Sequence, residues 1–389
     1  MEVLEELRGA YARRTERAVR AHAAGQRVIG YFWDSLPVEL IEAAGAFPLR
    51  VTGYPAPASQ VLDEKLYALL PKGFWQVRQS SLDFLNNSFG RLVDGTYAML
   101  DALVVPNVRK PLLNIATQLR VAGQYFPDLK LPRQFLLDRA NAPTESAHAY
   151  NRAAVHEVRA DLEAWLGESI ADEAIRAAVK RRRDNAALLR TIIGWRRADR
   201  PGISGSDMLA VIGAGGFMSA SEYGALLAKL VAAGPAEQRT GPRVFIGGSP
   251  PDNDQLYRLI ERLGATVVGE DHCWGERCVD FHDDADNADP MALLARRWDH
   301  PNATGFRLPV GAVTADIVAR AKACRADVAI LNVFAGDEMQ IWDTPAQAEA
   351  LAAAGIPALR LMEQPHILAD TAALERTIGE FLATARVPA

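Results

Sequence analysis

GYFWDSLPVELIEAAGAFPLRV, residues 30–51, is the stretch that decides the fold class. RVIGYF (27–32) is a compact apolar run, PVELIEAAG (37–45) has helical spacing, and FPLRV (47–51) is a second apolar run. Pro37 suits a first helical turn, where its missing N–H goes unused, and Gly45 suits a helix end. Asp34 and Ser35 are of the types that cap exposed helix N–H groups. Strand, short helix and strand in so few residues open a parallel βαβ unit.

Outward from this unit the order continues. Residues 1–24 read as an amphipathic helix. Helical spacing at about 75–92 leads to the strand DALVVP (101–106), a helix at 110–122 and the strand RQFLLD (133–138). From 145 to 233 the pattern is almost wholly helical, broken at Arg200-Pro201-Gly202 and at Gly213-Ala214-Gly215-Gly216. Strands return at 243–248, 265–269, 327–333 and 357–362, with helices at 252–263, 313–325, 344–354 and 370–384. At 389 residues the chain is too long for one ordinary core. The expectation is an α/β protein of two similar Rossmann/flavodoxin-like domains with parallel sheets, 1–144 and 236–389, joined by a helical connector, 145–235.

The net charge of −5, without a long basic run, argues against nucleic-acid partners, which need dense Lys and Arg for phosphate. Lys180-Arg181-Arg182-Arg183 and Arg196-Arg197 read as solvated helix faces. No apolar stretch is long enough to span a bilayer, and charges occupy the start where a signal peptide needs an apolar core. Three cysteines make a disulfide scaffold improbable, so a reducing cytoplasm is expected.

Ligands of open parallel sheets collect beyond the carboxyl ends of the strands. Five loops qualify: Trp33-Asp34-Ser35, Asn107-Val108-Arg109, Gly248-Ser249-Pro250, Glu270-Asp271-His272 and Ala335-Gly336-Asp337-Glu338. HCWGERCVDFH (272–282) has zinc-ligating residue types, but its four-residue gap between Cys273 and Cys278 is too loose for paired ligation. Its blander reading is a loop with a buried thiol, Cys324 being another. IGGSPPDND (246–254) reads either as a phosphate-holding turn or as a well-capped helix start, and it lacks the glycines of a dinucleotide fingerprint. Glu39 is either chemistry or a helix-start charge, and Arg78, Arg109 and Lys110 either grip phosphates or solvate helix starts. Neither GxSxG nor HExxH occurs.

Taken together, these loops resemble the 2-hydroxyacyl-CoA dehydratase and benzoyl-CoA reductase family, in its shorter-subunit form. Its opening signature, roughly Gly-Tyr-Phe-Cys-Ser-x-x-Pro-x-Glu-Leu-Ile-x-Ala-Ala-Gly, is matched by Gly30, Tyr31, Phe32, Pro37, Glu39, Leu40, Ile41, Ala43, Ala44 and Gly45, with Pro48 beyond. FWQVRQSSL, LVVPNVRK, VFIGGSP, EDHCWGERC, VAILNVFAGDE and AAGIPALRLME are similar to later family segments in the same order.

The resemblance implies a two-subunit enzyme in which three cysteines per subunit hold an iron–sulfur cluster and an ATP-dependent activator injects electrons. An acyl-CoA thioester then becomes a ketyl radical, which permits dehydration or ring reduction. At the cysteine positions this chain carries Trp33, Phe74 or Trp75, Val108 or a neighbour, and Ala335, none of which supplies a thiolate. The expectation is therefore a chain that binds an acyl-CoA-type substrate and holds no metal or cluster itself, with a [4Fe-4S] centre on a homologous partner subunit. Candidate catalytic residues are Asp34, Ser35, Glu39 and His272. Candidate substrate-binding residues are Trp33, Trp75, Arg78, Asn107, Arg109, Gly248, Ser249, Arg277, Asp337 and Glu338. A cofactor-free lyase or transferase built on this scaffold, and a non-catalytic binding protein, stand as the alternatives.

Overall fold

The computed structural model describes residues 2–32, 36–55, 83–107, 110–140, 142, 144–236, 238–279, 289–296 and 310–384. An N-terminal sheet comprises β1 (Val28–Tyr31), β2 (Phe47–Arg50), β3 (Ala102–Asn107) and β4 (Arg133–Asp138) in the order β2-β1-β3-β4. A C-terminal sheet comprises β5 (Arg243–Gly248), β6 (Thr266–Glu270), β7 (Val328–Phe334) and β8 (Ala358–Gln364) in the order β6-β5-β7-β8. All pairings are parallel. The two sheets thus wind in one topology, as the repeated element order predicts. Every residue of β1 and β7 is buried, the mark of strands covered on both faces. β4 is an edge strand and leaves Leu136 exposed.

Around the sheets lie α1 (Glu2–Ala12), α2 (Glu16–Ala23), α3 (Val38–Ala43), α4 (Asp83–Val93) and α5 (Lys110–Tyr125). The helical stretch holds α6 (Glu145–Leu166), α7 (Asp172–Arg197), α8 (Gly205–Ala214) and α9 (Ala220–Ala233). Then follow α10 (Gln255–Arg262), a 3₁₀ turn (Glu276–Val279), α11 (Pro290–Arg296), α12 (Val310–Ala323), α13 (Glu338–Ala353) and α14 (Ala372–Ala383). One apolar cluster joins Leu103 and Val105 of β3 to Val244 and Ile246 of β5, with Phe217 and Trp274 between them.

Several expectations are corrected. The opening segment is two helices, not one. The helix expected at 344–354 is α13, which begins at Glu338 and carries Pro345 inside it. α11 was not expected. Arg196 is not on a solvated face. The last turn of α7 packs against β6 and the 3₁₀ turn, so Arg196 is 0% exposed and ion-paired with Glu270 and Glu276. Lys180, on the same helix, does lie exposed.

The glycines that break the helical stretch allow close packing. A Cβ on Gly213 would lie 2.4 Å from the Tyr11 ring. The start of α8 is capped twice: Asp207 N–H donates to Ser204 Oγ (3.0 Å) and Gly205 N–H to the Glu261 carboxylate (2.6 Å). Beside it runs an open groove of about 610 Å³ flanked by Arg8, Arg239, Arg258 and Arg262. Among the described residues no helix is long and apolar enough to cross a membrane.

Candidate functional site

The carboxyl ends of the two sheets meet. Arg50, the last residue of β2, donates through its backbone N–H to Gly216 O (2.9 Å) and through Nη1 to Cys273 O (3.0 Å) in the loop after β6. A Cβ on Gly216 would lie 3.0 Å from that of Arg50, so glycine permits the approach. Two residues on, Thr52 donates to Asp252 Oδ2 and accepts from Arg14 Nη1 (2.7 Å). Asp252 also receives His366 Nε2 at 2.7 Å, and Asn87 lies 3.1 Å from His366 Nδ1. Burial alone would raise the Asp252 carboxyl. The charge and hydrogen bond of His366, with Arg14, outweigh it and hold the group well below the usual range.

At the ends of β1 and β2 lies a cavity of about 80 Å³, lined among others by Tyr31, Glu42, Arg50, Arg182, Tyr223 and Cys278. Glu39, 5% exposed on α3, stands 3.3 Å from Arg182, and Glu42 stands 3.8 Å from Arg181. Burial, with Glu39 nearby, pushes the Glu42 carboxyl up to about 7 against the pull of Arg182 and Arg181.

The C-terminal sheet has its own mouth. Gly248 takes φ +90°, and a Cβ there would meet Asn332 O at 2.1 Å, so the turn requires glycine. Ser249 is fully buried: its Oγ donates to Asp337 Oδ2 (2.7 Å) and accepts from Phe334 N–H (3.0 Å). Arg277 Nε donates to Asp271 Oδ1 (3.1 Å). Gly248, Asp271 and Arg277 share a cavity of about 20 Å³ with Gln340, Asp343 and Gln347 of α13, room for one water. His272 is 1% exposed, with Nε2 2.7 Å from the Tyr257 hydroxyl and Nδ1 accepting from Trp274 N–H (3.2 Å). Burial, reinforced by Arg277, pushes its pKa down to about 3, so it is a neutral imidazole.

The family model described as "2-hydroxyglutaryl-CoA dehydratase, D-component" matches residues 35–382. The chain belongs to this family. It is 24% identical over 284 residues to one of the subunits of benzoyl-CoA reductase from Thauera aromatica, covering 71% of this chain and 68% of that protein. It is 25% identical over 290 residues to the beta subunit of (R)-2-hydroxyglutaryl-CoA dehydratase from Acidaminococcus fermentans, covering 73% of each. Both relatives are subunits by name.

Of the expected site residues, Gly248, Ser249, Arg277 and Asp337 gather at the C-terminal mouth. Glu338 is exposed one residue beyond, on the first turn of α13. Asn107, at the end of β3, donates to Asp138 (2.7 Å). Trp33, Asp34, Ser35, Trp75, Arg78 and Arg109 lie outside the described residues. Sequence reasoning missed Arg14, Arg50, Thr52, Asp252 and His366, which tie the two sheets together. For Arg50 a signal existed: a cation closing an apolar parallel strand. Gln340, Asp343 and Gln347 had one too, an i, i+3, i+7 polar stripe directly after a strand loop.

Proposed function

We propose that this chain is a subunit of a 2-hydroxyacyl-CoA dehydratase- or benzoyl-CoA reductase-like enzyme. In this reading it binds an acyl-CoA thioester at the mouth shared by the two sheets and works beside a homologous, cluster-bearing subunit served by an ATP-dependent activator. The observation that carries the reading is Arg50. Family membership supplies the reaction class, and Arg50 brings the strand end of one sheet onto the loop of the other, where a ligand of parallel sheets belongs. Arg50 lines the cavity on the N-terminal side of this seam, and its guanidinium is the cation nearest to where a thioester or phosphate oxygen would lie in this reading.

The thiol inventory supports placing the cluster elsewhere. Cys324 is fully buried among Phe245, Val268 and Leu331 and donates to Ala321 O (3.3 Å). Cys278 instead lines the cavity at the N-terminal sheet, so the three cysteines do not converge. Among the described residues no group of three His, Cys, Asp or Glu side chains is disposed to hold a metal. Ala335, at one position where the resemblance implies a cysteine, offers only a methyl group.

Anaerobic purification tests the proposal, with iron and sulfide assayed on the separated chain, partners identified by mass spectrometry, and butyryl-CoA binding measured by calorimetry. A co-purifying homologue carrying iron, with butyryl-CoA bound at micromolar affinity, is the expected result. Stoichiometric iron and sulfide on this chain alone would refute its cluster-free role.

A further inference from the structure

We infer that β4 is a homodimer edge: two copies of this chain pair their β4 strands antiparallel about a twofold axis at Leu136, fusing two four-stranded sheets into one of eight. Among the described residues β3 is the only strand paired with β4. Arg133 N–H donates inward to Asp101 O (3.1 Å), and backbone groups alternate along a strand, so those of Gln134, Leu136 and Asp138 point outward. Such a row is a template for another strand, which proteins ordinarily blunt with a charge, a proline or a bulge. The Gln-Phe-Leu-Leu run between Arg133 and Asp138 carries none of these.

The side chains are the second, independent sign. Large apolar groups are exposed at seven described positions, and three of these lie on β4 or on the helices joined to it. Leu136 is 47% exposed on the strand, Tyr125 closes α5 before it, and Tyr150 stands on α6 after it. The Tyr150 hydroxyl donates to Asp138 Oδ2 (2.5 Å), which fixes that ring beside the strand end. Phe135 and Leu137 are buried in the cluster shared with α6, so Leu136 lies on the opposite face, with Gln134 and Asp138.

The pattern of the strand selects a second copy as the occupant. A twofold axis perpendicular to the sheet keeps each face on its own side, so only residues of like parity can lie opposite one another. Centred on Leu136, this sets Leu136 against its own image and Gln134 against Asp138 on either side. These are the same residues whose backbone groups point outward. The exposed face then gains an apolar pair flanked by two Gln134 amides donating to Asp138 carboxylates. Asp138 has room for this, since Asn107 and Tyr150 occupy only two of its roughly four lone-pair sites. β4 is also the edge opposite β2, the strand that meets the C-terminal half, so the dimer leaves that seam as it is.

Sedimentation velocity and cysteine cross-linking of the full chain, with any co-purifying subunit retained, test the inference. Residues opposite each other in a hydrogen-bonded antiparallel pair have Cα atoms about 5.5 Å apart, within the span of a disulfide. Leu136→Cys is therefore expected to cross-link two copies under mild oxidation. Gln134→Cys, whose opposite number is Asp138, and the wild type should cross-link about tenfold more slowly. Leu136→Lys sets like charges on the axis and should sediment with a single copy of this chain at micromolar concentration, its circular dichroism unchanged. A wild type with one copy under the same conditions, or a dimer that Leu136→Lys leaves intact, would overturn the inference. So would equal cross-linking at positions 134 and 136, or a complex with a different subunit in which Leu136→Cys stays uncross-linked.

Discussion

The guanidinium of Arg50 lies 3.6 Å from the centre of the Trp274 ring, so the end of a strand in one sheet is stacked on the loop that leaves the other. A desolvated cation–π contact contributes about 2 kcal/mol, and the bond to Cys273 O adds about 1 kcal/mol. Arg50→Met is expected to lower stability by roughly 2–3 kcal/mol in urea denaturation and to alter tryptophan emission. Arg50→Lys should recover only part of the loss, because an ammonium cannot both stack on the ring and reach the carbonyl.

Asp252 joins Arg14, Thr52 and His366 across the seam. Asp252→Asn leaves buried cations uncompensated and should cost about 3–5 kcal/mol at neutral pH. Its folded-state pKa is depressed, so its contribution is present above the unfolded value of about 3.9 and disappears as pH falls through the folded value. Acid titration of stability should therefore be steeper below about pH 4 in the wild type than in Asp252→Asn. Identical acid limbs would contradict this arrangement.

Glu42 works in the opposite sense. Its folded pKa is about 7, above the unfolded value of about 4.3, so its contribution is full below pH 4.3 and is lost as pH rises through 7. Glu42→Gln should flatten the decline in stability between these limits and be the more stable protein at pH 8, by on the order of 1–3 kcal/mol. Thermal melts across pH 4–8 provide the measurement.

Arg196, Glu270 and Glu276 form an enclosed ion network. Arg196→Met alone should cost about 3–5 kcal/mol. Adding Glu270→Gln to that variant should restore part of the loss, giving a marked departure from additivity in a double-mutant cycle.

The strands and their order were legible because apolar runs bounded by turn residues alternate with helical spacing; β5 was read to the residue from RVFIGG. The family signature likewise lies in contiguous residues, Gly30 to Gly45. What escaped depends on partners far apart in the chain. Arg196 looks like any cation on a helix of mixed charge, and only the arrival of Glu270 makes it a core residue. His272 suggested acid–base chemistry by type, yet Tyr257 and the Trp274 amide engage both its nitrogens. Asp252 and His366 are separated by more than a hundred residues, and no local pattern announces their bond.

The first amides of α8 are already turned to the Glu261 carboxylate. Arg8, Arg258 and Arg262 of the adjoining groove are likewise committed, to Asp207, Asp254 and Glu375, and Glu5, Asp207 and Glu261 line the groove beside them. With charge of both signs interleaved and screening setting in over about 8 Å in physiological salt, that flank of the molecule has little reach toward a distant anion.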